Sequence, residues 1–208
     1  MDELQKILAA ADKMFRQYGI RSVTMSDLAR ELGMSKKTLY VHIKNKQDLI
    51  MKVLQMHFDR ERQICNLVQT EAKNALEEMF LMGREIQKNI QHINPSLMFD
   101  LRKYHKAVWG EFDEFRKTFI FNMMKNNMDR GIEEGLYRPD LNADIVSRLY
   151  IGMVELFLDA ELFPPDKFSR PSMHRAMMAY HLHGIVSDKG KAALKDYLEQ
   201  LEQLSSPS

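Results

Sequence analysis

A single cysteine, Cys65, in 208 residues excludes an intramolecular disulfide and with it the stapled scaffold of a small secreted domain. Glycine, at 9, and proline, at 6, are too few for a collagen-like or linker-like chain. β-Branched residues rarely alternate with polar ones, and no Asn-Gly or Asp-Gly pair separates two apolar runs, so strand signals are sparse. No stretch offers the ~18 uncharged apolar residues that a membrane span needs, and the nearest, Leu149 to Leu158, is interrupted by Glu155. Met1 to Leu8 contains Asp2, Glu3 and Lys6 with no apolar run behind them, so no secretory signal is expected and the expected location is cytoplasmic. Neither charge sign dominates: 30 Lys and Arg stand against 29 Asp and Glu, so no chain-wide basic field points to nucleic acid.

Catalytic constellations are missing too. The seven histidines are scattered, and His181 and His183, two apart, diverge on a helix. Cys65 has no CxxC companion, and neither a glycine-rich phosphate loop nor a Gly-x-Ser-x-Gly elbow occurs. The expectation is a protein that is not an enzyme, with no metal and no cofactor.

Helical periodicity fills the space these absences leave. Leu4, Leu8, Ala11, Phe15 and Tyr18 recur at steps of three and four, and Gly19 follows as a stop. Three short capped segments come next. Longer helices are expected over Asn45 to Thr70, Glu71 to Gln91, Pro95 to His105, Lys106 to Glu134, Asn142 to Leu162, Ser169 to Ser187 and Asp188 to Leu204, with prolines at or near several of the breaks. The expected fold is all-α, with a seam between 1–54 and 55–208 inside the helix that begins at Asn45.

Val23 to Leu49, VTMSDLARELGMSKKTLYVHIKNKQDL, is the informative stretch. Thr24 with Asp27, Ser35 with Thr38 and Asn45 with Asp48 are three helix starts in about twenty residues, each with a short polar side chain placed to accept from an orphan amide. Met25 to Leu32 and Lys36 to His42, about two turns each, are joined by Gly33 and Met34. This is the helix-turn-helix layout, whose second helix enters the DNA major groove. Leu28, Ala29 and Leu32, with Leu39 and either Val41 or Ile43, can close a small core against Leu8, Ala11 and Phe15. Ser35, Lys36, Lys37, Thr38, Tyr40 and His42 are then left outside. Met34 to Lys46 holds Lys36, Lys37, Lys44 and Lys46 and no acid. Lysines alone fit a solvated face; beside hydroxyls, an aromatic ring and helix-start amides they fit a phosphate backbone.

These residues resemble the N-terminal domain of the TetR family of bacterial transcriptional regulators over about Leu4 to Leu54. The resemblance lies in FRQYG, the T-x-x-D-L-A start of the second helix, the Gly-Met-Ser turn, T-L-Y-x-H, and the K-x-x-L that opens the fourth helix. Ile43 stands where the family more often has Phe. The resemblance implies a three-helix helix-turn-helix domain at 1–54, followed at 55–208 by a larger helical effector-binding and dimerisation domain. It implies that Lys36, Lys37 and Thr38, behind Ser35, meet base edges or nearby phosphates, lysine being able to reach guanine O6 and N7. Tyr40, His42, Thr24, Ser26 and Lys46 would contact phosphates. His42 fits equally a neutral side chain capping or packing against the fourth helix. The partners implied are a double-stranded, palindromic DNA operator, a second copy of the chain and a small apolar or amphipathic effector.

For the remainder, the resemblance is one of layout. Ile145, Leu149, Gly152, Met153, Leu156 and Phe157, and then Met173, Met177, Tyr180 and His181, form stripes that suit either an internal core or the family's dimer interface, with Leu149, Gly152, Met153, Leu156, Met173, Met177 and Tyr180 as interface candidates. Met98 to Met128 is rich in Met and aromatics, which suits either core or an adaptable pocket, with Tyr104, Trp109 and Phe112 as effector candidates. The expected function is a repressor released by a ligand. The alternatives are a TetR-like architectural or recruiting protein without an effector, and a helical small-molecule-binding domain with an incidental lysine cluster. Near-neutrality is an average of unlike parts: nine basic against six acidic residues in 1–50, and 21 against 23 in 51–208.

Overall fold

The computed structural model describes residues 2–90, 96–157, 159 and 161–203. Among them every regular element is helical: α1 (Glu3–Tyr18), α2 (Met25–Glu31), α3 (Lys36–His42), α4 (Lys46–Glu71), α5 (Ala75–Ile90), α6 (Ser96–Tyr104), α7 (Lys106–Phe115), a π-helical turn (Arg116–Ile120), α8 (Phe121–Glu133), α9 (Ala143–Phe157), α10 (Arg170–Ile185) and α11 (Asp188–Gln203). No described helix is long and apolar enough to cross a membrane.

Two compact units divide the chain, 1–62 with 92–115 and 63–91 with 116–208. In the first, α1 starts on Asp2, whose carboxylate accepts from the Gln5 amide at 2.7 Å while Gln5 answers with its own side chain, and it ends at Gly19. Its inner face, Ile7, Leu8, Ala11, Met14 and Phe15, packs with Leu28, Ala29, Leu39, Ile43 and Leu49. The choice left open between Val41 and Ile43 is settled for Ile43. Ile43 is fully buried and Val41 is 76% exposed. Ile43 therefore fills the core position with an aliphatic side chain.

In the second unit, a polar network is built around Tyr137. Its hydroxyl donates to Asn127 Oδ1 at 3.0 Å, and Asn127 Nδ2 donates to the Ala75 carbonyl at 2.9 Å. Arg130 ties Glu78, Glu134 and the Ala72 carbonyl together, and Glu134 accepts from the Ala75 amide at 2.8 Å. Gly131 on α8 makes room for the Tyr137 ring, because a Cβ there would lie inside it.

Three of the expected boundaries are corrected. The break after α4 falls at 72–74, not at Thr70, because Asn74 caps α5 through the Glu77 amide (2.9 Å) and Glu77 accepts from the Lys73 amide (2.7 Å). The single helix expected over Lys106 to Glu134 is interrupted by the π-helical turn. Its wider turn shifts which side chains share a face. The helix expected to run from Asn142 to Leu162 ends at Phe157, and Asp159 takes the Glu161 and Leu162 amides into a turn instead.

Candidate nucleic-acid interface

Thr24 caps α2, accepting from the Asp27 amide at 3.2 Å, and its own hydroxyl donates to Asp27 Oδ2 at 2.6 Å. These bonds from Thr24 hold the Asp27 carboxyl below the usual carboxylate range, with Arg30 assisting. Gly33, at φ 63°, makes the left-handed turn, and the Met34 amide closes back onto the Ala29 carbonyl at 3.0 Å. Ser35 then caps α3 through the Thr38 amide at 3.0 Å. Buried Leu39 and Ile43 pin α3 from beneath, so the opposite face is fixed outward.

On that face Ser35, Lys36, Lys37 and Tyr40 are exposed and Thr38 is half-buried; Ser26 on α2 and Thr24 are exposed beside it. His42 is half-buried, with its ring Nε2 3.1 Å from Glu3 Oε2 on α1 and its carbonyl accepting from Lys52 Nζ on α4 at 3.4 Å. Asn45 caps α4 through the Asp48 amide, while Asp48 accepts from the Lys44 amide and from Lys52 Nζ. Lys46 reaches the Arg21 carbonyl at 3.3 Å. Burial, and the Arg21 charge nearby, hold its ammonium below the ordinary lysine value although Asp100 and Asp27 pull the other way.

Three acids of this unit are engaged by other cations. Asp12 pairs with Arg16 and lies 2.8 Å from His57, Asp27 pairs with Arg30, and Asp48 pairs with Lys52. Burial alone would raise the Asp12 carboxyl, but His57 and Arg16 outweigh it and lower it. Lys36, Lys37, Lys44 and Lys46, by contrast, make no ion pair among the described residues. A rigid two-turn helix thus presents uncompensated ammonium groups, hydroxyls and an aromatic ring on one side, the arrangement a duplex backbone and groove edge accept.

A model of bacterial regulatory proteins of the tetR family matches residues 7–53. An HTH-type transcriptional regulator of Staphylococcus aureus (strain bovine RF122) is 38% identical over 140 residues, 62% of this chain and 76% of that one. The chain belongs to the tetR family. Over nearly its full length this TetR-family regulator is also similar to YvaF of Bacillus subtilis, at 27% identity over 186 residues, 89% of this chain and 96% of that one. It is similar to the HTH-type transcriptional repressor KstR2 of Mycobacterium tuberculosis, 26% identical over 150 residues, 69% of this chain and 73% of that one. The solved structure of that ketosteroid transcriptional regulator covers 90% of this chain and 96% of its own, at TM-score 0.64 and 21% identity. The relatives are transcriptional regulators, and this TetR-family member is a DNA-binding transcriptional regulator with the all-α fold.

The effector candidates are not gathered in the second unit. Tyr104 is exposed on the first, with its ring under Arg21. Trp109 is half-buried against the first unit's core and pairs with Phe112 at 5.4 Å between centroids. The Met and aromatic richness of 98–128 did not reveal that 96–115 packs with the helix-turn-helix. The interface candidates fall on the neighbouring helices α9 and α10. Leu149 is 63% exposed, Tyr180 78%, Gly152 and Leu156 are exposed, and Met153, Met173 and Met177 are half-buried. His181, read into the same stripe, instead points inward, its ring 5.0 Å from that of Tyr150. Sequence reasoning did not single out Arg21, whose only local signal is a lone basic residue just before the Thr24 cap.

Proposed function

We propose that this regulator is a repressor that binds a palindromic operator as a homodimer and is released by a small apolar or amphipathic effector. Residues 1–54 form the DNA-binding domain, and residues 55–208 the effector-binding and dimerisation domain. The observation that carries the reading is the unpaired lysine face of α3 on a buried Leu39 and Ile43 anchor. Lys36, Lys37 and Thr38 read base edges, and Ser35, Tyr40, His42, Thr24, Ser26 and Lys46 hold phosphates. His42 contributes when DNA displaces Glu3 from its ring.

Kinship with a named repressor supports repression. The apolar outer stripe of α9 and α10, with Leu149, Gly152, Met153, Leu156, Met173, Met177 and Tyr180, supports pairing with a second copy, since exposed apolar patches of this kind mark interfaces. Of the effector candidates, Trp109 and Phe112 are retained as an aromatic pair. The effector acts by binding one conformer of the dimer better than the other. Selection of duplexes from a random-sequence pool by the full-length protein tests the proposal. It predicts an inverted repeat with half-sites about one helical turn, ~34 Å, apart. Enrichment of a single unrepeated site would refute the dimeric reading, and no enrichment would refute specific recognition.

A further inference from the structure

The unpaired positive charge of the first unit continues beyond the helix-turn-helix. Arg21, in the link between α1 and α2, lies with its guanidinium carbon 4.5 Å from the Tyr104 ring centroid, and its Nη1 donates to the Tyr104 hydroxyl at 3.3 Å. Lys103 Nζ stands 5.5 Å from the centroid of the same ring and 5.1 Å from that of Phe99. Lys46 Nζ donates to the Arg21 carbonyl, and Lys46 also lines an open cleft with Asn45, Gln47, Asp48, Met51 and His105. Burial lowers the His105 imidazole and the Lys46 charge adds to this, while Asp100 pulls the other way.

No carboxylate comes within ion-pair distance of the group among the described residues, although the Asp100 and Asp27 charges act on Lys46. Arg21, Lys46 and Lys103 make no ion pair among the described residues, and Asp27 and Asp48 are engaged by Arg30 and Lys52. Asp100, whose charge acts on Lys46, is only 6% exposed. Two cations over one phenol ring, with a third held to the backbone of the first, are mutually repulsive. Each aromatic contact holds its cation in a fixed place, which lowers the entropy lost when an anion arrives. The Tyr104 hydroxyl accepts from Arg21, which leaves its own proton free to donate.

We infer that Arg21, Lys103 and Tyr104 extend the phosphate-binding surface from Lys46 onto α6, so that the protein grips the DNA backbone beside each half-site with residues outside the helix-turn-helix. Arg21 and Lys103 supply charge, and Tyr104 supplies a hydroxyl donor and the platform that orders both. Such contacts set affinity and register and read no bases. Its basis is the reading of residues 1–54 as a DNA-binding domain, and it places Tyr104 at DNA, not at an effector.

The test compares the full-length protein with Lys103→Gln, Lys103→Glu and Tyr104→Phe variants, all at exposed positions whose melting should match wild type. Two fluorescein-labelled duplexes serve as probes, one carrying the sequence that wild type enriches from a random pool and one of mixed sequence, each titrated by anisotropy across a salt series. Lys103→Gln should reduce the log–log salt slope by about 0.9 per protomer and weaken binding roughly five- to eight-fold per protomer at ~0.1 M salt on both duplexes. Lys103→Glu should weaken both further, and Tyr104→Phe should weaken both without changing the slope. Unchanged slope and affinity for the Lys103 variants, while Lys36→Ala weakens binding, would overturn the inference, as would a loss confined to the enriched duplex. Failure of wild type to bind either duplex would instead defeat the DNA-binding reading beneath it.

Discussion

Protonating the two buried histidines of α10 should unfold the second unit from within. His174 and His181 are 3% and 5% exposed, and the Nε2 of each has no hydrogen-bond partner. His174 Nδ1 lies 3.1 Å from Gln87 Oε1, and the His181 ring packs on Tyr150. Burial pushes both imidazoles down from 6.5 to about 4, with the Arg175 charge adding to the effect at His174. The folded value lies below the unfolded one, so the unfolded chain binds more protons between pH 4 and 6.5. Stability is complete above about 6.5 and falls as the pH drops toward 4. The gap corresponds to about 3–4 kcal/mol per imidazole at ~1.36 kcal/mol per pH unit, so the pair carries about 7 kcal/mol, comparable with a domain's entire stability.

Urea unfolding followed by far-UV circular dichroism at pH 7.5, 6.0 and 5.0 measures this directly. Between pH 6 and 5 each histidine is mostly protonated in the unfolded state and mostly neutral in the folded one. Wild type should therefore lose about 2 kcal/mol more over that unit than a His174→Gln/His181→Met variant. Trp109, the only tryptophan, reports the first unit separately by fluorescence. Parallel pH curves for wild type and variant would refute the assignment of acid sensitivity to these two side chains.

Gly131→Ala should destabilise the second unit by roughly 1–3 kcal/mol or prevent its folding, because the new methyl group meets the Tyr137 ring; thermal melting checks it. Tyr137→Phe leaves Asn127 Oδ1 buried without its donor and should cost about 1–3 kcal/mol in urea denaturation. Leu39→Ala empties the anchor of α3 and should cost about 2–5 kcal/mol, with amide exchange rising first in α2 and α3. Leu149→Glu with Tyr180→Glu should give a monomer by sedimentation that keeps the helical circular dichroism of wild type; a dimer of unchanged affinity would exclude α9 and α10 as the interface.

The helices of the DNA-binding segment were legible because their signals are local. Thr24, Ser35 and Asn45 each reach an amide three residues away, and Gly33 needs only its own φ. A two-turn helix is too short to set its own phase, so Val41 and Ile43 could not be told apart until Ile43 was seen beneath α3. The π-helical turn at 116–120 has no compositional mark, and it broke a periodicity that reads straight through. Asn74 with Glu77 is a capping pair of the same kind as the others, obscured by the helix-forming residues on both sides. The place of Tyr104 was beyond sequence reasoning because its partner, Arg21, lies 83 residues away. The stripe on α9 was visible as a period, but whether a stripe faces core or solvent depends on the neighbours that the fold brings to it.

The central claim, that the unpaired lysine face of α3 binds and reads DNA, is tested most directly by anisotropy titration of a Lys36→Ala/Lys37→Ala variant. Wild type and variant are each titrated with the duplex that wild type selects and with a mixed-sequence duplex over a salt series. The account predicts a shallower salt slope on both duplexes and a larger loss on the selected one, so that the ratio between them collapses toward one. An unchanged ratio and slope in a variant that melts like wild type would contradict it.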